Sequence, residues 1–225
     1  MVTPNESAES PTVPGDGGRS RSALRAAAVL IAVVALITAL LSLLANQTRD
    51  RIAANQQFAL TQAIAALLPP GSYDNDILED RIAVRAPDLL GSNQPVSIFR
   101  ARKSGQPVAV LINAIAPDGY RGPIELLIAI NHDGALYGVQ VLDHDETPGL
   151  GDAFENREAD WLTDFRGRSL DNPPQARWTV RKDGGDFDAF TGATITPRAI
   201  VKAVRKSLEF YRTRRQQLFE LPRES

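Results

Sequence analysis

No residue from Ala26 to Ala45 is charged. The run is Ala, Val, Leu and Ile, interrupted only by Thr38 and Ser42. About 20 such residues rising about 1.5 Å each cover the roughly 30 Å of a bilayer core, so a transmembrane helix is predicted over 26–45. Arg19, Arg21 and Arg25 precede it, and Arg49, Asp50 and Arg51 come after it. By the positive-inside rule this excess puts the N-terminus in the cytoplasm. The expectation is a single-pass protein of the cell inner membrane, its main domain periplasmic if the source is Gram-negative. The alternative is a cleaved signal peptide, whose apolar core is shorter, at about 7–15 residues. Leu43-Leu44-Ala45 is a poor small-x-small cleavage site, and either reading exports the rest of the chain.

The chain divides into four regions. Residues 1–25 read as a disordered cytoplasmic tail, its first 20 residues rich in Ser, Pro, Gly and Glu and without hydrophobic pattern. The transmembrane helix is 26–45. Residues 46–70 form a juxtamembrane helical stalk: Ile52, Leu60, Ile64 and Leu67 fall near one face and Pro69-Pro70 ends the pattern. Residues 71–225 form the remaining domain. There, short alternating segments at 81–85 and 96–100 and apolar runs at 108–112, 124–130 and 136–142 read as strands. His132-Asp133-Gly134 is a turn signal that makes 124–130 and 136–142 a hairpin. A short helix is expected near 152–163 and a further strand at 178–181. Ile200, Val201, Val204, Leu208 and Tyr211 recur at three- and four-residue steps, predicting an amphipathic C-terminal helix. The predicted fold is α+β, an antiparallel sheet flanked by helices on one membrane anchor.

Composition narrows the chemistry. The 225 residues contain no cysteine, which removes disulfides, thiolate zinc sites and iron–sulfur ligation. Two histidines, His132 and His144, and one methionine argue against a haem or histidine-rich metal site, and no metal site is expected. A net charge of −2 gives no reason to expect nucleic acid as a partner.

The chemically richest stretch is Asp188-Ala189-Phe190-Thr191-Gly192-Ala193-Thr194-Ile195-Thr196-Pro197. Thr196 suits an N-cap and Pro197 the first helical position. That expectation places an exposed threonine hydroxyl at the positive end of a helix, among backbone N–H groups without partners, where a phosphate binds well. The plain alternative is a turn and a capped helix.

This stretch resembles, without departure, the flavinylation motif of the FMN-binding domain of membrane redox complexes: Asp, two variable residues, Ser/Thr, Gly, Ala, Ser/Thr, any residue, Ser/Thr. The segment Glu146-Thr147-Pro148-Gly149-Leu150-Gly151 resembles a second family segment, and Gly119-Tyr120-Arg121-Gly122-Pro123-Ile124 a third. The resemblance is nearest to the G subunits of Rnf-type ion-translocating electron transport complexes. The related C subunit of the sodium-pumping NADH:quinone reductase is the next alternative. It implies one FMN, bound covalently through its phosphate to Thr196, in an electron-transfer subunit that is not catalytic alone. It further implies membrane and iron–sulfur partner subunits, and a flavin transferase that uses FAD and Mg²⁺ outside the cytoplasm.

Around Thr196, the resemblance makes Thr191, Gly192, Ala193, Thr194, Asp188, Glu146, Thr147 and Leu150 cofactor-binding candidates. Glu146 and Thr147 would hydrogen-bond the flavin and Leu150 would touch it. Asp188 has two readings, positioning metal or phosphate during attachment or capping a turn. Tyr120 is either a ring neighbour of the flavin or a core residue. His144 reads as a solvated loop histidine, since no second histidine lies at ligand spacing. Arg205, Arg212, Arg214 and Arg215 read as the wet face of the last helix, with docking to a partner subunit as the alternative. A membrane-tethered scaffold without flavin is the rival from another class.

Overall fold

In a computed structural model the described residues are 17–155 and 161–223. The N-terminal tail before residue 17 lies outside them, as does 156–160, the middle of the short helix expected near 152–163. The chain divides into two compact units, 1–56 and 57–225.

The first unit holds most of helix α1 (Gly17–Leu67). Its stretch Ala27–Ala45, with mean hydropathy 2.9, is long and apolar enough to cross a membrane and is wholly exposed within the protein. The second unit contains the last turns of α1, strands β1 (Arg81–Val84), β2 (Val96–Lys103), β3 (Gln106–Ala116), β4 (Ile124–Asn131) and β5 (Leu136–Asp143), the single-turn helix α2 (Pro87–Leu90) and the long helix α3 (Ile195–Glu220).

The strands form one antiparallel sheet in the order β1-β2-β3-β4-β5, each paired with its chain neighbour. The expected hairpin is β4–β5, closed by an Asn131 turn whose side-chain oxygen accepts from the Asp133 and Ala135 N–H groups. Both faces of the sheet are buried, which explains why its central strands read as nearly unbroken apolar runs. Val110, Ile112 and Ala114 of β3, with Ile124, Leu126, Ile128 and Ile130 of β4, face the main core, where α3 contributes Ile200, Val201, Val204, Leu208 and Tyr211. The alternate residues Ala109, Leu111, Leu127 and Ala129 face a second core with Ala63, Ile64, Leu67 and Leu68. The last turns of the segment expected as a stalk are therefore one layer of the folded domain. Period-two alternation sorts the two cores.

One local expectation fails. Residues 178–181 are no sheet strand. Residues 178–180 lie between 3₁₀ turns Gln175–Arg177 and Arg181–Asp183, with one isolated bridge from Val180 to Phe187. Pro173 and Pro174 on one side and Gly184 and Gly185 on the other break the run, while Trp178 and Val180 are buried. Trp178 instead joins an aromatic cluster with Phe165 and Phe187, which Trp161 and Phe190 extend. The stretch 152–163 has 3₁₀ turns at Ala153–Glu155 and Trp161–Phe165 at its described ends.

Candidate functional site

Three segments far apart in sequence meet at the N-terminus of α3. They are the three that carry the family resemblance.

The first is the loop between β3 and β4, with Gly119, Tyr120 and Arg121. The second comes after β5. There the Gly149 N–H donates to Asp152 Oδ1 at 2.7 Å, and the Leu150 and Gly151 N–H groups donate to the Thr147 carbonyl at 3.1 and 3.0 Å, winding 147–152 into a tight turn. The third is the turn Phe190–Ala193. Gly192 takes a φ of +80° there, which a residue with a Cβ resists. The Ala193 N–H donates to the Phe190 carbonyl at 3.2 Å. Trp161 Nε1–H fixes the entry to this turn by donating to the Asp188 carbonyl at 2.9 Å.

The helix starts earlier than expected. Thr194, not Thr196, is the N-cap residue, without a side-chain capping bond. Thr196 is thus the second helical residue and Pro197 the third, where the absent proline N–H is still one that the helix would leave unpartnered. The Gly192 turn delivers the chain already helical at Ile195. The hydroxyl of Thr196 is therefore free to point elsewhere. It donates to Glu146 Oε2 at 2.6 Å.

This overturns the expectation of an exposed hydroxyl: Thr196 is 1% exposed and Glu146 4%. Gly151 lies over the pair, so close that a Cβ there would stand 2.5 Å from Glu146 Oε2 and 3.2 Å from Thr196 Oγ1. On the other side a Cβ at Gly119 would stand 2.8 Å from Glu146 Oε1. The Arg121 N–H donates to that oxygen at 3.3 Å. Two glycines and one backbone N–H cradle the carboxylate.

His144 is also not a solvated loop side chain. Its Nδ1 accepts from the Glu146 N–H at 3.1 Å, so Nε2 carries the proton and donates to Glu155 Oε1 at 2.9 Å. The histidine holds the backbone of the residue that holds Thr196. No sequence pattern announces this, because the two-residue offset from His144 to Glu146 matters only in this turn.

The remaining candidates sort as follows. Asp188 is half exposed and ion-paired with Arg181 at 2.9 Å. Thr191 and Gly192 are exposed at the turn, and Ala193 is half-buried. The Thr194 hydroxyl accepts a long 3.4 Å bond from Arg198. The same guanidinium is hydrogen-bonded to Asp183, which holds that carboxyl below its usual range. Thr147 is half-buried, and its carbonyl organises the 147–152 turn. Leu150 lies above Gly192, whose Cβ position is 3.7 Å from Leu150 Cδ2. Tyr120 is exposed, which removes its core reading. Of the late arginines, Arg205 pairs with Glu209 at 2.7 Å, and Arg212, Arg214 and Arg215 are on the wet face of α3.

Among the described residues of the second unit, the exposed large apolar side chains are Phe58, Tyr120, Leu150, Ile195 and Leu221. Tyr120 and Leu150 sit on the first two converging segments, and Ile195 follows the third at the start of α3. The site therefore combines a helix N-terminus, threonine hydroxyls and exposed apolar groups. That donor set fits a phosphate joined to a flat apolar ring.

Residues 119–209 match the FMN-binding domain family. This span includes all three segments. The chain is similar over most of its length to proteins named as the G subunit of an ion-translocating oxidoreductase complex. It is 46% identical to that of Pseudomonas aeruginosa over 204 residues, which is 90% of this chain and 95% of the relative. It is 40% identical to that of Shewanella loihica over 202 residues, 90% and 95% of the two chains. It is 42% identical to that of Aliivibrio fischeri over 202 residues, 90% and 94%. At that identity and coverage the chain belongs to the family of G subunits of ion-translocating oxidoreductase complexes and carries its FMN-binding domain.

Proposed function

We propose that this chain is a membrane-anchored electron-transfer subunit that carries one FMN, esterified through its phosphate to Thr196. Electrons would enter and leave through the flavin, while the protein sets its position and potential. The observation that carries the reading is the motif threonine in the first turn of α3. Its hydroxyl lies where a helix attracts negative charge. Leu150, Tyr120 and Ile195 supply apolar surface for the ring, and Thr191 and Thr194 polar edges beside the phosphate. The relatives' shared name supports other subunits of a redox complex as partners, and the apolar stretch of α1 supports attachment to the inner membrane. A separate flavin transferase would install the cofactor on the periplasmic side. The relatives favour the G subunit over the C subunit of the sodium-pumping reductase.

Burial of Thr196 adds a requirement. A phosphoryl donor reaches Oγ1 only when the 147–152 turn lifts Gly151 from it. The same burial favours the rival reading, in which Thr196 and Glu146 merely brace a flavin-free scaffold.

One experiment separates them. The full chain is exported alongside an active flavin transferase, denatured and viewed under ultraviolet light on a gel, with Thr196→Ala beside it. A fluorescent wild-type band that is dark in the variant, with FMN located on the Thr196 peptide by mass, is the expected result. A dark wild-type band, while a control protein is flavinylated, leaves the scaffold.

A further inference from the structure

We infer that Glu146 is the proton acceptor that activates Thr196 for its own flavinylation. The inference rests on the reading of Thr196 as the FMN acceptor and goes one step further, to how an unreactive alcohol is made to attack.

A threonine hydroxyl is a weak nucleophile until a base takes its proton. Such a base must lie within about 2.6–3.2 Å of the hydroxyl oxygen. Glu146 Oε2 lies 2.6 Å from Thr196 Oγ1. Both residues are almost fully buried, and among the described residues the Arg121 N–H donates a long 3.3 Å bond to the carboxylate's other oxygen. The surroundings preserve this geometry: Gly119 and Gly151 leave no room for a Cβ against the carboxylate, and His144, itself braced by Glu155, pins the Glu146 N–H.

The step balances without redox chemistry. Thr196 Oγ attacks the flavin-side phosphorus of a flavin adenine dinucleotide. The Oγ–P bond forms, the anhydride P–O bond breaks, and AMP leaves. The hydroxyl proton passes to Glu146 Oε2 and then to water. Glu146 touches a reacting atom and is a catalytic residue of this modification, supplied by the acceptor protein itself.

The test follows the initial rate of FMN incorporation by intact mass. It uses the full chain in detergent, a purified flavin transferase, FAD and Mg²⁺. Glu146→Gln keeps an oxygen that can accept from Thr196 but cannot take its proton at neutral pH. Glu146→Asp keeps a carboxylate one methylene short. A proton acceptor gives the order wild type, Asp, Gln, with Gln slower than wild type by roughly 10²–10⁴-fold. A purely structural role gives the reverse order for the variants, because Gln is the closer match in shape. Gln loading as fast as Asp overturns the proposal. Should Glu146→Gln fail to melt cooperatively, Glu146→Ala with added formate decides. Formate-dependent recovery of loading supports the proposal, and its absence overturns it. Wild-type protein that takes up no FMN under the same conditions overturns the assignment of Thr196 instead.

Discussion

A Cβ on Gly151 would stand 2.5 Å from Glu146 Oε2 and 3.0 Å from Glu146 Cβ. Neither neighbour is the free end of a flexible side chain, since Glu146 is held from both sides. Gly151→Ala is therefore an overpacking change, expected to cost about 1–3 kcal/mol in urea unfolding. The cause is specific enough to be isolated. In a Glu146→Ala background the 2.5 Å contact with Oε2 is gone and the milder 3.0 Å contact with Cβ remains, so the double-mutant cycle should show a coupling of roughly 0.5–3 kcal/mol. Additive costs would mean that the glycine serves something other than the carboxylate. A different residue governs behaviour in alkali. Tyr211 is buried in the core, and its hydroxyl donates to the His132 carbonyl at 3.1 Å. Burial, with a smaller push from Asp133 against a pull from Arg215, raises its phenol from 10.0 to about 12. The neutral phenol is thus favoured in the folded state. Its contribution to stability is full below pH 10 and is lost as the pH rises from 10 towards about 12. Unfolding midpoints measured across that window should fall, and should fall less steeply in Tyr211→Phe.

Among the elements, the end of α3 is fastened by charges that sequence reading did not bring together. Asp80 is 1% exposed and pairs with Arg100 at 2.5 Å and Arg102 at 3.0 Å. The guanidiniums in turn donate to the helix-end carbonyls: Arg100 to Leu218 at 3.1 Å and Leu221 at 2.7 Å, Arg102 to Phe219 at 2.8 Å. Three carbonyls at the end of α3, those of Leu218, Phe219 and Leu221, are thereby satisfied. Asp80→Asn removes the counter-ion of Arg100 and Arg102, and of the more distant Arg223 at 3.7 Å. A loss of about 3–5 kcal/mol is expected, with faster amide exchange over the last turn of α3. Unchanged exchange there would show that packing of Leu218 alone holds the helix end. This cluster also marks where sequence reading stops. Strands β2 to β5 were legible because Val, Ile and Leu runs bounded by turns leave little else to form. α3 was legible because its apolar residues keep a helical period. The segment around Trp178 misled because buried aromatic residues look the same in a strand and in an irregular loop. Thr196 and Glu146 were each legible as motif members, but their bond spans 50 residues and depends on the Gly192 turn moving the helix start back to Ile195. Asp80, Arg100 and Arg102 gave no signal, since charges in short alternating strands normally face water.

For the molecule as a whole, the open quantity is which side of the membrane holds the second unit. The apolar stretch Ala27–Ala45 has arginines at 19, 21 and 25 before it, and Arg49 and Arg51 with Asp50 after it. The asymmetry is small, yet positive charge near the start of the first span usually dominates orientation. On that charge difference we propose that the FMN-binding domain lies outside the cytoplasm, where the proposed transferase must also act. The chain offers a clean way to measure this, because it contains no cysteine. A single cysteine at Asn93, an exposed position between α2 and β2, reports on the domain, and one at Ser7 reports on the N-terminal segment. In intact spheroplasts a membrane-impermeant maleimide should label Asn93→Cys and leave Ser7→Cys untouched until the cells are lysed. The opposite pattern would put the domain in the cytoplasm. Thr196 would then be out of reach of an exported transferase, and the covalent flavin would need a cytoplasmic route. Labelling of both positions before lysis would mean that the stretch does not hold the chain across the bilayer. Orientation thus decides more than an address, because it determines which enzyme can meet the threonine that the fold keeps covered.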